Sequence, residues 1–169
     1  METKELLLDA YSHIRRIVHQ AADGLSVEQL AYRPEEGSNS IAWLVWHLTR
    51  IEDSHLSAVT QLDEAWSTDG WDDRFGLGGT TSIGFGDGPE QVAALRPEGD
   101  LLLGYHDYVN GRVLSYMDRV DAVELDRIVD INYDPHVKAG VRLVSVISDN
   151  LQHAGQARYL RGIIERLGV

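Results

Sequence analysis

The residues best placed to do chemistry lie near the end of the chain. Asp149, His153 and Gln156 fall three to four residues apart within a long helical pattern. They occupy consecutive positions of a seam that is otherwise apolar, with Val146 before them and Leu160, Ile163 and Leu167 after. Burying a carboxylate beside an imidazole is costly unless each is paired or holds a metal. Side chains four residues apart share a helix face, so Asp149 and His153 can reach one ion together. A hydrogen-bonded Asp–His pair, or a seam that faces water at this point, is the plainer alternative.

A metal site needs further ligands. His47 lies beside the seam of an earlier helix, His55 lies on it, and His106 lies on the seam of a third. Periodicity does not choose among them, and each also reads as a hydrogen-bonded core histidine. His13, His19 and His136 look peripheral. A rival unit, Glu52-x-x-His55, has the spacing of di-iron bundles, but no second Glu-x-x-His accompanies it.

Four helices must position these residues. Periodicity places the first over 4–22, with Leu7, Ala10, Ile14, Ile17 and Ala21 inward and Gly24 as its stop. Ser26-Val-Glu-Gln is a capping box for a short helix. The second long helix covers 39–62, on a seam of Ile41, Leu44, Leu48, Ile51, His55, Ala58 and Leu62. The third covers 97–120 and the fourth 139–167. The pattern is all-α, a four-helix bundle in one domain spanning 1–169.

The connections are unequal. Residues 63–88 hold seven glycines together with Trp66, Trp71, Phe75 and Phe85. A loop this long is usually functional or disordered, and its aromatic content favours a folded cap over one end of the bundle. Gly88-Pro89-Glu90 opens a short helix, and 127–138 contains a short extended segment. Trp43 and Trp46 read as packing residues, with a subunit interface or pocket as the lesser reading. Arg158 and Arg161 read as solvated side chains.

Composition removes several functions. With 15 Lys+Arg against 27 Asp+Glu the net charge is −12, which disfavours nucleic acid and anionic membranes. The chain has no Cys, so it supplies no thiol nucleophile and no thiolate metal site. No apolar run is long enough to span a bilayer, and the acidic amino terminus does not read as a signal peptide, so a cytoplasmic protein is expected. The glycine clusters lack the Gly-Lys-Ser/Thr of a P-loop, and there is no Gly-x-Ser-x-Gly elbow.

The stretch Ser40-Ile-Ala-Trp-Leu-Val-Trp-His47-Leu-Thr-Arg-Ile-Glu-Asp resembles the second-helix motif of the DinB-like superfamily. Asp149-Asn-Leu-Gln-His153-Ala-Gly-Gln resembles its fourth-helix motif, and the order and separation of the two also match. The resemblance implies a metal-binding four-helix bundle with His47, rather than His55, as the ligand joining Asp149 and His153. A carboxylate in place of the first His of the usual His-x-x-x-His is similar to the mycothiol S-transferase and mycothiol-dependent maleylpyruvate isomerase branch, with Asp where those members carry Glu.

What this implies is a transferase. Zinc is the expected ion, with nickel, iron or manganese as alternatives, and it would activate a low-molecular-weight thiol such as mycothiol toward an electrophile. Gln156 is an expected assistant, and His55, His106 and Trp71 are expected on the substrate side. A homodimer is also implied. A metal-dependent hydrolase on the same fold, and a non-catalytic small-ligand or stress-related binding protein, are the alternatives.

Overall fold

The computed structural model describes residues 2–169. Its first helix, α1 (Thr3–Ala22), buries Leu7, Tyr11, Ile14, Val18 and Ala21. Gly24, at φ +73°, turns the chain out of it. The capping box at Ser26 forms as expected: its hydroxyl accepts from Gln29 N at 3.2 Å, and the Gln29 side chain accepts from Ser26 N at 3.0 Å. It opens α2 (Val27–Leu30).

The helix α3 (Ile41–Thr60) starts where the Ser40 hydroxyl accepts from Trp43 N, and stops at Gln61 in the left-handed region. The cap follows. It contains α4 (Ala65–Thr68) and α5 (Trp71–Arg74), and leads into α6 (Pro89–Ala94). The third long helix, α7 (Gly99–Tyr116), ends in a 3₁₀ turn at Met117–Arg119 and is followed by α8 (Ala122–Asp126). The strands β1 (Ile128–Asp130) and β2 (Val137–Lys138) pair antiparallel, with Ile128 opposite Lys138 and Asp130 opposite Val137. The last helix, α9 (Ala139–Leu167), is closed by Gly168 at φ +69°.

The long helices pack in a ring. α9 lies against both α3 and α1, and α7 closes the other side against the same two. Burying the four apolar faces in one shared interior is what stabilises such a bundle. No described helix is long and apolar enough to cross a membrane.

Two seams differ from the sequence reading. On α3, Ala58 is exposed, as is Leu62 just beyond its end, whereas Thr49, Arg50, Glu52 and Asp53 are buried. This helix sits between the bundle and the cap, so it is enclosed on nearly all sides. On α9 the buried stripe is Ala139, Leu143, Val146, Asn150, Ala154, Ala157, Leu160 and Ile164. It runs one residue beyond the seam that held Asp149 and His153, while Gln156, Ile163 and Leu167 lie outside the core. Small alanines allow the close approach of α9 to its neighbours, and a periodicity count weighted toward large side chains misses them.

Candidate metal centre

α3 supplies His47, and α9 supplies Asp149 and His153. One ligand atom from each lies within 4.8 Å of the others. His47 is buried; Asp149 and His153 are half-buried on the flank of the α9 stripe. The imidazole rings meet edge to face at 4.8 Å between centroids. Trp43, one turn before His47, stacks on its ring at 4.6 Å and meets His153 edge-on at 6.5 Å.

Hydrogen bonds orient both imidazoles. His47 Nδ1–H donates to the Ile83 carbonyl of the cap. His153 Nδ1–H donates to Gln156 Oε1 at 2.9 Å. Each bond leaves Nε2 as the lone-pair atom, the arrangement that second partners impose on metal-binding histidines. His153 Nε2 then faces Asp149 Oδ1 at 3.7 Å. Asp149 Oδ2 is buried and accepts from no group. Burial holds the His47 imidazole below its usual pKa, so the ring is neutral at pH 7. Three acceptors therefore converge with no donor among them, and a cation is what satisfies such a set. The group could hold a metal ion.

The cap is part of this centre. Fully buried Arg50 donates from Nε to Ser82 O at 3.1 Å and from Nη2 to Glu64 at 3.0 Å. Its guanidinium lies 4.9 Å from the centroid of the Trp66 ring. Asp53 accepts from the backbone N–H groups of Ala65 and Trp66, at 2.9 and 2.8 Å, and so caps α4. Trp66 Nε1 donates to Thr80 O at 2.8 Å. These contacts fix residues 80–82 and, with them, the Ile83 carbonyl. Gly84 follows at φ +87°, where a Cβ would stand 2.8 Å from His47 Nδ1 and 3.0 Å from both Trp43 and Trp46. Only glycine fits there.

The remaining expected site residues scatter. His55 is half-buried on α3 two turns beyond His47; burial, then the Arg142 charge, lowers its pKa. His106 does not face a substrate. It is sealed in the core, where its Nδ1 meets the Thr49 hydroxyl at 3.2 Å and burial pushes its pKa down to about 4. Trp71 is packed among Tyr105 and Tyr108, so it too is a core residue of the cap. Gln156 is exposed and spends its oxygen on His153. Trp43 and Trp46 are buried, which removes them from any outward-facing interface.

Sequence reasoning missed a second polar cluster. Glu52, on α3, is fully buried and accepts from Asn150 Nδ2 of α9 at 2.7 Å and Asn110 Nδ2 of α7 at 3.4 Å. Desolvation pushes its pKa up to about 8, so the carboxyl is neutral at pH 7. Its place inside Glu52-x-x-His55 drew attention to metal spacing, and the nearby asparagines of two other helices gave no local signal. The structure points Glu52 at Asn110 and Asn150, which are not metal ligands, and the di-iron reading ends there.

The sequence has no match among curated proteins. The crystal structure of a conserved protein from Enterococcus faecalis is similar over 95% of this chain and 96% of that one, at 28% identity and a TM-score of 0.85. The family model of the DinB superfamily, which includes metal-dependent enzymes, matches residues 10–157, and it does so over the helices that carry His47, Asp149 and His153. The chain belongs to the DinB superfamily.

Proposed function

We propose that this chain is a metal-dependent S-transferase that joins a low-molecular-weight thiol, of the mycothiol kind, to an electrophilic small molecule. The observation that carries the reading is the convergence of three acceptor atoms, from His47, Asp149 and His153, without a donor. A divalent ion held there, zinc by the two-imidazole and one-carboxylate set, supplies Lewis acidity that eases proton loss from a thiol or water.

The chain's own groups do the rest. The Ile83 carbonyl and Gln156 Oε1 hold a proton on each Nδ1, so both rings turn Nε2 inward. Asp149 contributes one negative charge, which leaves a divalent centre at net +1 and attractive to an anionic sulfur. Trp43 covers His47 and keeps water from that side. The absence of Cys fits a nucleophile brought by a cosubstrate. The reading extends to a homodimer paired along the outward face of α9, where Val141, Val144, Leu151 and Tyr159 are exposed.

The test is elemental analysis of untagged protein beside His47→Ala and His153→Ala, followed by turnover of an aryl halide with and without added thiol. About one ion per chain, lost in both variants, with thiol-dependent turnover, is the expected result. Metal retained by both variants overturns the ligand set. Hydrolytic turnover without thiol overturns the transferase step in favour of hydrolysis. Light scattering checks the dimer.

A further inference from the structure

A cleft is lined by Trp43, whose ring also stacks on His47. It has a volume of about 160 Å³ and includes none of His47, Asp149 or His153. A single water needs only about 10–15 Å³ on this kind of measure, so the cleft has room for a small organic molecule. Trp43 and Trp46 of α3 wall one side, and Leu77, Ala94 and Leu95 wall the other. Asp87 is the one charged group in its lining.

Asp87 is held in place. Its Oδ2 accepts from Trp43 Nε1 at 2.9 Å, while Oδ1 takes no hydrogen bond among the described residues. The nearest buried cation, Arg50, is already spent on Asp53, Glu64 and the Ser82 carbonyl. A carboxylate oxygen therefore stands free at the Nε1–H edge of Trp43, in a cleft that Trp46 also lines. A carboxylate attracts a cation by charge, and indole rings offer apolar surface to its organic body. The −12 net charge adds attraction at a distance.

We propose that this cleft binds an aryl- or alkylammonium ion, with the ammonium on Asp87 Oδ1 and the apolar body between Trp46 and the Leu77–Leu95 wall. The site does not depend on the metal centre, although the two share Trp43.

The experiment follows the indole N–H resonances of ¹⁵N-labelled protein, with and without added zinc, during titration by benzylammonium. The chain has four tryptophans, so the readout is specific by residue. Trp43 and Trp46 should shift saturably with a Kd on the order of 1 mM, while Trp71, which touches no residue of the cleft wall through its N–H, stays still. Asp87→Asn keeps an acceptor for Trp43 and should weaken binding about tenfold or more. Benzyl alcohol should bind weaker by a similar factor. Ala94 is exposed at the cleft, so Ala94→Trp should abolish binding and leave the rest of the spectrum in place.

No shift of Trp43 and Trp46 by about 10 mM, tenfold above the expected Kd, overturns the site. Equal binding of benzyl alcohol, or an Asp87→Asn variant that binds as well as wild type, overturns the cationic class. Because zinc-free protein is titrated too, failure here is separable from failure of the metal reading.

Discussion

Two polar clusters tie α3 to α9, and they solve opposite problems. In the interior, Glu52 is clasped by Asn110 and Asn150, and its own carboxyl gives up charge to remain there. On the flank, His47, Asp149 and His153 turn only acceptors toward one another. The interior cluster contains donors for both Glu52 oxygens and leaves only the amide oxygens of Asn110 and Asn150 without a partner among the described residues. The flank cluster has sent its donors outward, to Ile83 and Gln156, and is complete only with a cation. Burial alone does not mark a functional site, since the deeper cluster is the inert one. What marks the flank is the chemistry of its unmet acceptors, two imidazole nitrogens and a carboxylate oxygen, where the interior leaves two neutral amide oxygens.

The largest expected effect comes from the residue that links the cap to this difference. Arg50→Met leaves Asp53 and Glu64 without their buried cation and should cost about 3–5 kcal/mol, read by urea unfolding. It should also weaken zinc binding, because residues 80–82 no longer hold the Ile83 carbonyl against His47.

Asp149→Asn tests the contrast directly by placing a donor in the flank cluster. Zinc affinity should fall about 100-fold, measured by chelator competition. Metal-free protein should gain about 0.5–1 kcal/mol, because the new N–H can reach His153 Nε2. A loss of stability in metal-free protein would mean that the acceptors were not in conflict.

The interior cluster predicts a pH dependence of the opposite kind to ordinary carboxylates. The folded pKa of Glu52, about 8, lies above the ordinary glutamate value of 4.5. Its contribution is therefore fully present below about pH 4.5 and is lost as pH rises through 8, at up to about 1.4 kcal/mol per unit. Glu52→Gln should remove a few kcal/mol of alkaline destabilisation between pH 6 and 9. His106 works at the other end. Its pKa is lowered from 6.5 to about 4, so its contribution is present above pH 6.5 and is lost as pH falls through that range.

Smaller effects separate orientation from stability. Gly84→Ala drives a Cβ toward His47 Nδ1 at a positive φ and should cost about 1–3 kcal/mol by thermal unfolding, with weaker zinc binding. Gln156→Ala should lower zinc affinity about tenfold at unchanged Tm, because Gln156 is exposed and touches the centre only through His153.

Much of the fold was legible in local pattern. The α9 limits, the Ser26 cap, the α6 start at Pro89 and an extended segment at 128–130 agree with the sequence reading, whereas its pairing with Val137–Lys138 appears only in the fold. Asp149 and His153 were legible for an imperfect reason. Periodicity sets them in the core seam, yet the stripe passes through Asn150, Ala154 and Ala157 beside them. Two adjacent stripes of one helix differ by about 100° of rotation, and when both contain apolar residues the sequence does not say which one faces in. His106 stands on the seam of its helix and Trp71 in the long cap segment, and the structure buries both among neighbouring side chains.

The sequence by itself determined the helices, the missing thiol, the negative charge and the Asp-x-x-x-His spacing, because each is set within a few residues or by simple composition. Only the tertiary structure decided that His47 meets that pair, that Ile83 orients it and that Glu52 is neutralised in the interior. Those facts join residues dozens of positions apart, through backbone carbonyls and asparagine amides whose identity as partners exists only once the chain has folded.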